Sequence, residues 1–341
     1  MTSVVHTIRL AAGDTSYPCD AGDTVLRAAL RAGIGFPYEC NVGSCGNCRF
    51  ELIEGDVQMA WPEAPGWTDK DRQRNRYLGC QSQPQGDCVI KLNPALRYEP
   101  PHRPRRVQAT LRASRAITHD ISEFSFELAE PLRFEPGQYA LLYLPGIVGA
   151  RAYSMSNTAG SSLWEFQVRR VATGRGTVAL FDALKVGDHL EVDGPYGMAW
   201  LRREVRRDIL CLAGGSGLAP MISIARGAMA EPALSSAQLH FLYGGRTAKD
   251  VCGQDMLQVL PGWGTRLHYH AAISAPETDD AGTPWRGPVG FVHEVALQLF
   301  AEQLPQMEIY FAGPPAMAMA AQRMLLQAKV PFGQVHFDQF Y

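Results

Sequence analysis

The stretch ECNVGSCGNC, Glu39–Cys48, holds three of the eight cysteines in this chain of 341 residues. Four residues separate the first two of them, and two residues separate the second from the third. A further cysteine follows in the phrase RYLGCQ, on a segment that can approach the loop from elsewhere in the fold. Inside a cell, clustered cysteines bind metal more often than they form disulfides. The candidate metal ligands are therefore four residues: Cys40, Cys45, Cys48 and Cys80.

The spacing C-x4-C-x2-C with a distant fourth cysteine is that of plant-type [2Fe–2S] sites. Three thiolates from one loop must wrap two irons, so the loop has to curl tightly. Gly43 and Gly46 allow backbone conformations there that residues with a Cβ resist. A structural zinc site also takes four cysteines, but it usually pairs two C-x2-C knuckles, and this loop has one. The pattern thus favours a [2Fe–2S] cluster over a zinc ion or a set of buried thiols.

The sequence on both sides of the loop predicts a small domain over residues 1–98. VVHTIRL alternates like a strand, and GDTVLRAALRAG predicts a helix with Asp23 as its N-cap and Gly33 as its C-terminal stop. CRFELIEGDVQ and CVIKLN predict further strands. This order of elements is typical of a β-grasp ferredoxin. The phrase RYEPPHRPRR, rich in proline and arginine, then predicts a stiff linker at residues 99–106.

Composition excludes several classes of function. The formal net charge is −2, and no basic arm or long run of charge indicates a nucleic-acid partner. The N-terminal phrase MTSVVHTIRL lacks the apolar core of a signal peptide. The uncharged run at residues 209–225 is interrupted by glycines and a proline, so it does not predict a membrane span. We therefore expect a cytoplasmic protein that has no membrane span and acts as a monomer.

Residues 107–204 contain one strand-like phrase after another, which predicts an antiparallel barrel or sandwich. Two phrases in this region can bind a cofactor. RAYSMSN, Arg151–Asn157, begins with an arginine that can hold phosphate, and a tyrosine and a serine that can face a flat ring follow it. GRGT, Gly174–Thr177, opens a helix whose free N–H groups can also hold phosphate. Neither phrase is specific when it is taken alone.

Residues 205–341 alternate strands with helices, which predicts a doubly wound parallel sheet with its ligand at the carboxyl ends of the strands. The first strand runs into AGGSGLAP, a glycine-rich turn that suits a pyrophosphate. The dinucleotide fingerprint is incomplete, because Pro220 stands near the place of its third glycine and Gly244–Arg246 replaces the usual acidic residue. At the fourth strand, FAGPP places Gly313 before a helix with open N–H groups.

The order of these parts resembles the reductase components of bacterial aromatic oxygenases, among them those of toluene monooxygenase, phenol hydroxylase and carbazole dioxygenase. The phrases that carry the resemblance span essentially the whole chain and include FPYECNVGSCGNCRFELIEGDV, WPEAPG, LGCQ, WRGPVGFVHE and VHFDQF. The resemblance implies a plant-type ferredoxin domain, an FAD-binding barrel and a nicotinamide domain of the ferredoxin–NADP reductase type, with a C-terminal tail at the flavin. It also implies three cofactors, namely FAD, a [2Fe–2S] cluster and NADH.

The resemblance assigns the flavin contacts residue by residue. Arg151 would hold the flavin pyrophosphate, and Gly174 and Thr177 would contact phosphate. Tyr153 and Ser154 would contact the isoalloxazine ring, with Ser154 near N5 as a catalytic residue.

The same resemblance assigns the nicotinamide site and the tail. The glycines that would border the dinucleotide are Gly214, Gly215, Gly217 and Gly313. Preference for NADH follows the family, although Arg246 is physically able to accept the 2′-phosphate of NADPH. Asp338, Phe340 and Tyr341 would come near the flavin, with Asp338 and Tyr341 as catalytic residues. Relatives usually have a cysteine before GPP, where this chain has Ala312.

These cofactors belong together, because a nicotinamide delivers two electrons as a hydride, a [2Fe–2S] cluster accepts one, and a flavin connects them. We predict electron transfer from NADH through FAD and the cluster to the oxygenase hydroxylase component, or to an intermediary ferredoxin, of an aromatic-hydrocarbon monooxygenase or dioxygenase. The partner would dock near Asp69–Arg76, DKDRQRNR, whose mixed charges suit a transient contact. Two alternatives stay open: a stand-alone NADH-dependent reductase of a small molecule, and a carrier module with inactive flavin and nicotinamide domains.

Overall fold

Three folded units follow one another along the chain in the computed structural model, which describes residues 4–276 and 284–339. The first unit has a mixed sheet, the second an antiparallel barrel sheet and the third a parallel sheet. These three sheets confirm the predicted fold class. Within the two described ranges, the helices are too short or too polar to cross a membrane.

The first, β-grasp unit is a small sheet packed against one helix. Its elements are β1 (Val5–Leu10), β2 (Ser16–Asp20), α1 (Val25–Arg31), β3 (Arg49–Glu54), β4 (Val57–Met59), α2 (Asp69–Gln73), β5 (Arg76–Leu78), β6 (Ser82–Pro84) and β7 (Cys88–Lys91). Five strands form a sheet in the order β2-β1-β7-β3-β5, in which β1 and β7 run parallel and the other neighbours antiparallel. The loop of clustered cysteines lies between α1 and β3, as the sequence predicted.

Helix α1 has a different N-cap from the one expected. The cap is Thr24, whose hydroxyl accepts a hydrogen bond from the N–H of Arg27. Asp23, the expected cap, accepts instead from the N–H of Thr24 at 2.8 Å and forms an ion pair with Arg31 at 2.9 Å. Just beyond the helix, Gly33 has a φ of +83°, which glycine adopts without strain. Because Thr24 caps the helix, the carboxylate of Asp23 is available to orient the side chain of Arg31.

The second, barrel unit is an antiparallel sheet that closes on itself. Its elements are β8 (Arg105–Ala116), β9 (Ile121–Leu128), β10 (Tyr139–Tyr143), β11 (Arg151–Ser154), β12 (Leu163–Arg169), α3 (Arg175–Val178) and β13 (His189–Tyr196). The strand order is β11-β10-β13-β8-β9-β12, and a bridge between Met155 and Phe166 joins the two edges. Trp164 and Phe126 fill the barrel and are fully buried. Strand β8 begins inside the segment that the sequence predicted as a linker.

The third, parallel-sheet unit has helices on both faces. Its elements are β14 (Ile209–Gly214), α4 (Leu218–Ala230), β15 (Leu239–Gly245), α5 (Gln254–Leu257), β16 (Leu267–Ile273), α6 (Val292–Phe300), β17 (Glu308–Gly313), α7 (Pro315–Gln327) and β18 (Val335–Gln339). All neighbours in the order β16-β15-β14-β17-β18 are parallel. Helix α4 packs on one face and α6 and α7 on the other. The carboxyl ends of the strands therefore meet along one edge, where such sheets bind ligands.

One buried ion pair anchors the β-grasp unit to the barrel unit. Arg31 of α1 donates two hydrogen bonds to the carboxylate of Asp193 in β13, at 2.9 and 2.7 Å. Asp193 is fully buried and also accepts from the hydroxyl of Tyr196 at 2.9 Å. Burial by itself would raise the pKa of Asp193, but the hydrogen bonds and the charge of Arg31 outweigh burial and lower that pKa. The carboxylate therefore stays charged and holds the two units together.

Candidate redox site

The four cysteines predicted to bind metal lie together. Cys40, Cys48 and Cys80 are buried, and Cys45 is half-buried. The backbone joins the two segments, because the N–H of Gly79 donates to the carbonyl oxygen of Cys48 at 2.7 Å. The thiols are neighbours in two pairs, Cys40 with Cys45 and Cys48 with Cys80. Two pairs of thiols fit a group with two irons that takes four cysteine ligands.

The backbone of this loop curls around the sulfur atoms. Gly43 and Gly46 have φ angles of +92° and +75°, as their place in the motif predicted. The N–H of Cys45 donates to Sγ of Cys40 at 3.3 Å, and the N–H of Asn47 donates to Sγ of Cys45 at 3.4 Å. The hydrogen bond from the Cys45 thiol and then those from loop N–H groups lower the pKa of Cys40 to about 6, against the opposite effect of burial. The loop thus favours the thiolate at Cys40, whereas the neighbouring thiols and burial raise the pKa values of Cys45 and Cys48.

Arg49 supports the loop from outside, and no sequence pattern singled it out. Its guanidinium donates to the carbonyl oxygens of Gly46 and Gly66 and pairs with Asp71 of α2 at 3.0 Å. A planar guanidinium with several donors suits such a combination of partners. The segment that carries Gly66 and α2 is thereby fastened to the cluster loop.

The two phrases predicted to bind flavin phosphates meet in the barrel unit. A Cβ on Gly176 would come within 3.1 Å of the side chain of Arg151, so the GRGT phrase packs directly against the arginine. The hydroxyl of Thr177 donates to the carbonyl oxygen of Gly174 at 2.9 Å and accepts from the N–H of Val171 at 3.2 Å. Thr177 therefore shapes this turn, while Arg151 and the open N–H groups are the donors that suit a phosphate.

Ser154 and Tyr153 end the strand that carries Arg151. Ser154 is buried and lies opposite Tyr139 of β10 in the strand register. Tyr153 is half-buried, and burial raises the pKa of its phenol to about 12. The phenol therefore stays neutral, which suits packing against a flat ring.

Tyr139 connects the barrel unit with the cluster loop. Its side chain is buried, and its hydroxyl donates to the carbonyl oxygen of Glu39 at 2.7 Å. Glu39 directly precedes Cys40 in the chain. A second contact lies nearby, where the N–H of Gly197 donates to the hydroxyl of Tyr38 at 2.9 Å. The side chain of Tyr139 thus links the barrel to the residue that precedes the first cluster ligand. The sequence did not indicate this contact.

A cavity of about 400 Å³ lies at the carboxyl ends of the parallel strands. The predicted residues Gly214, Gly215 and Arg246 line this cavity. Gly215 has a φ of +57°, a conformation that favours glycine. Gly217 is not among the residues that line the cavity, and a Cβ there would overlap the carbonyl oxygen of Ala312. The turn therefore needs glycine both for its shape and for its close approach to β17.

The fourth strand approaches the same cavity through Gly313. A Cβ on Gly313 would lie 2.7 Å from the sulfur of Met317, and a Cβ on Gly214 would lie 2.6 Å from that atom. Met317 lines the cavity at the start of α7. The two glycines thus make room for one methionine between the ends of β14 and β17.

One cation in this cavity comes from the barrel unit and was missed by the sequence analysis. Arg169, at the end of β12, lines the cavity, and its guanidinium lies 3.7 Å from the place of a Cβ on Gly215. An ion pair with Asp120 at 2.6 Å holds it there. The guanidinium and the N-terminus of α4 therefore both face the turn where a pyrophosphate is expected.

Replacing Arg169 by alanine is expected to raise the KM for NADH about tenfold, the order of magnitude for losing a hydrogen bond between charged groups. The kcat should change little, because the side chain binds phosphate and is not at the reacting atoms. Steady-state reduction of ferricyanide by NADH measures both constants. Arg170→Ala is the matched control, since Arg170 pairs with Asp182 at 2.7 Å. Equal KM values for Arg169→Ala and the parent would exclude this role.

Asp338 lies beside the same strand end, in register with Ala312 of β17. It is 9% exposed, and its Oδ2 has no hydrogen-bond partner within the described part of the chain. Burial raises the pKa of Asp338 to about 7, and the charge of Glu39 adds to the effect. Such a carboxyl group can hold or release a proton near neutral pH. The other tail residues that the sequence singled out, Phe340 and Tyr341, lie outside the described residues.

Asp338→Asn is expected to stabilise the protein at neutral pH. The ordinary pKa is 3.8 and the folded value about 7, so the folded state disfavours the carboxylate. This loss of stability begins above the ordinary pKa, grows as the pH rises and is complete above the folded pKa. The gain in Tm of the variant over the parent should therefore grow from about pH 5 to pH 7 and then level off. Thermal melts followed by circular dichroism measure it, with exposed Asp182→Asn as the control, and a gain independent of pH would contradict the raised pKa.

Three family models match consecutive parts of the chain. Residues 9–85 match the 2Fe-2S iron-sulfur cluster binding domain, 108–200 the oxidoreductase FAD-binding domain and 211–323 the oxidoreductase NAD-binding domain. The three predicted cofactors, a [2Fe–2S] cluster, FAD and NAD, are therefore confirmed at the level of the domains that bind them.

The chain is also similar to known reductases over nearly its whole length. It is 40% identical to the ferredoxin–NAD(P)+ reductase CarAd of Metapseudomonas resinovorans, over 96% of this chain and 98% of that protein. It is 38% identical to the ferredoxin–NAD+ reductase component of the alkene monooxygenase system of Xanthobacter autotrophicus, over 95% of this chain and 98% of that protein. The solved ferredoxin reductase in carbazole 1,9a-dioxygenase has a TM-score of 0.91 at 36% identity and covers 100% of both chains. The chain therefore belongs to the family of ferredoxin–NAD(P)+ reductases that are components of oxygenase systems.

Proposed function

We propose that this reductase passes electrons from NADH through FAD and a [2Fe–2S] cluster to the hydroxylase component, or an intermediary ferredoxin, of an oxygenase that acts on aromatic hydrocarbons. The partner class is supported by the relatives, which include a reductase in carbazole 1,9a-dioxygenase. We assign the three steps to residues 1–98 for the cluster, 107–204 for the flavin and 205–341 for the nicotinamide, with 99–106 as the linker.

The contact between the barrel unit and the cluster loop is the observation that carries this proposal. Tyr139 lies opposite Ser154, the residue assigned to the flavin ring, and reaches the residue before Cys40 with a hydrogen bond of 2.7 Å. Electron tunnelling weakens steeply with distance and is favoured by continuous bonded paths. A buried side chain that joins the two sites suits transfer within one chain, whereas a stand-alone flavin reductase would not need it.

When bound, the flavin would accept a hydride from the nicotinamide and release single electrons to the cluster. The cluster would be held by the four cysteines that the loop and the turn after β5 bring together. Arg151 would bind the phosphates of FAD, and Arg169 would bind those of NADH from across the cavity. Asp338 would hold a proton at its carboxyl oxygens near the strand end that carries Ala312, where relatives usually have a cysteine.

The choice between NADH and NADPH is part of the proposal. Arg246 lines the dinucleotide cavity, and its backbone N–H donates to the carboxylate of Asp250 at 3.2 Å. Asp250 also accepts hydrogen bonds from the N–H and hydroxyl of Thr247. A carboxylate in this turn disfavours a 2′-phosphate, so we assign NADH as the reductant. NADPH with a KM equal to that of NADH would contradict this assignment.

The proposed function is tested by an anaerobic titration of the protein, loaded with FAD and iron–sulfur cluster, with NADH. Visible spectra follow the flavin, and electron paramagnetic resonance follows the reduced cluster. Bleaching of the flavin together with the rhombic signal of a reduced [2Fe–2S] cluster is expected. Flavin reduction without that signal would favour a stand-alone reductase, and no response to NADH would contradict the proposal altogether.

A further inference from the structure

The cluster loop has a covered part and an open part. The residues that contact the barrel unit, Tyr38 and Glu39, come before the first cysteine ligand. Beyond that ligand, Cys45 is half-buried and Asn47 is exposed. A short path for electron transfer from the cluster to another protein therefore lies on the side of Cys45.

An exposed tryptophan stands beside this open part. Trp61 is 41% exposed although its ring packs on the loop, where a Cβ on Gly43 would lie 3.1 Å from it. Pro62 is exposed next to it, and its carbonyl oxygen accepts from Arg72 at 2.9 Å. The guanidinium of Arg72 lies over the ring of Trp67, 4.2 Å from its centre. Tryptophan and arginine are the residue types that most often dominate the binding energy of an interface.

The segment next to this tryptophan presents mainly positive charge. Asp69–Arg76 contains four cations and two carboxylates, but Asp71 is buried and paired with Arg49. The charged groups of α2 and its C-terminal end that are exposed are Asp69, Lys70, Arg72 and Arg74. Two further carboxylates lie near the loop, exposed Glu63 and half-buried Glu39. Burial of Asp71 thus leaves the exposed part of Asp69–Arg74 with three cations and one carboxylate, Asp69, which lies 3.8 Å from Arg72.

We propose that Trp61, Pro62 and the cations Lys70, Arg72 and Arg74 form the docking surface for an acidic redox protein that receives electrons from the cluster. This inference rests on the proposed function and adds the chemistry of the partner. Carboxylates around the partner's own redox centre would face the three cations, and an apolar contact would cover the indole ring. Opposite charges speed association, and salt weakens this effect. Docking here would bring the partner to the side of Cys45.

The test compares two acceptors of electrons from NADH: a purified acidic [2Fe–2S] ferredoxin, and ferricyanide, which the flavin reduces directly. Trp61→Ala should lower kcat/KM for the ferredoxin about tenfold, the size of an interface hot spot. The double reversal Lys70→Glu, Arg74→Glu should lower it about tenfold at low salt and less at high salt. Ferricyanide reduction should not change. Arg112→Glu is the matched control, since Arg112 is an exposed cation of the barrel unit paired with Glu127.

The outcomes separate this inference from the proposed function. Parent-like ferredoxin kinetics in both Trp61→Ala and the double reversal, each with a full cluster absorption band, would overturn the docking surface and leave the proposed function standing. An equal loss of kcat/KM for the ferredoxin in the Arg112→Glu control would also overturn the docking surface. The net charge of the protein, and not the position of the cations, would then explain the effect. A parent protein that reduces ferricyanide but never the ferredoxin would overturn this inference, while the proposed function would be decided by the cluster signal in the titration with NADH.

Discussion

Replacing Cys45 by alanine is expected to lower the NADH-driven reduction of a protein acceptor at least a hundredfold, while reduction of ferricyanide stays near the parent rate. Four thiolates hold a [2Fe–2S] cluster, and the loss of one leaves an iron without a protein ligand. The flavin and nicotinamide sites lie in the other two units, so hydride transfer should continue. Electron paramagnetic resonance of the reduced protein would report the missing cluster, and the two acceptor assays would report the two steps.

Cys252→Ala is the matched control for this substitution. Cys252 is a half-buried thiol like Cys45, but it lies in the parallel-sheet unit, and burial raises its pKa to about 11. Its loss should leave both acceptor assays unchanged. Normal delivery of electrons to a protein acceptor by the Cys45→Ala variant would mean that the cluster is not on the route.

Asp193→Ala should increase the distance between the flavin and the cluster while both cofactors stay bound. The substitution removes the buried carboxylate that Arg31 binds, but the guanidinium is partly exposed and keeps its pair with Asp23. The cost should therefore stay below the about 3–5 kcal/mol of a fully buried pair broken on one side. The anchor between α1 and the barrel unit would be lost, so the contact of Tyr139 with Glu39 should loosen. We expect a lower temperature of unfolding and slower transfer from flavin to cluster, because electron tunnelling weakens steeply with distance. Stopped-flow spectroscopy resolves this step from the preceding reduction of the flavin.

Glu127→Ala provides the comparison, because it breaks an exposed ion pair of the same unit, the one with Arg112. Exposed pairs contribute about 0–1 kcal/mol, so neither stability nor internal transfer should change much. If Asp193→Ala unfolds at a lower temperature but transfers electrons at the parent rate, the ion pair stabilises the fold without setting the distance between the cofactors.

Local patterns predicted the cluster site because its chemistry is local. Three of its ligands lie in one loop, and the glycines there have the positive φ angles that their place implied. The cap of α1 was harder to predict, because Asp23 and Thr24 are both good capping residues and neighbours in the sequence. Thr24 is the cap in the structure, and the carboxylate of Asp23 forms an ion pair with Arg31 at the other end of the helix.

By itself, the sequence determined the kind of cluster, the order of the three domains and the family, because cysteine spacing and the periods of strands and helices are local properties of the chain. The tertiary structure alone decided which distant residues meet. It brought Arg169 of the barrel to the dinucleotide turn, Tyr139 to the cluster loop, and Asp71 to Arg49, which leaves the cations of α2 in excess at the surface. Such contacts depend on how separate sheets pack against each other, and no pattern within one segment encodes that packing.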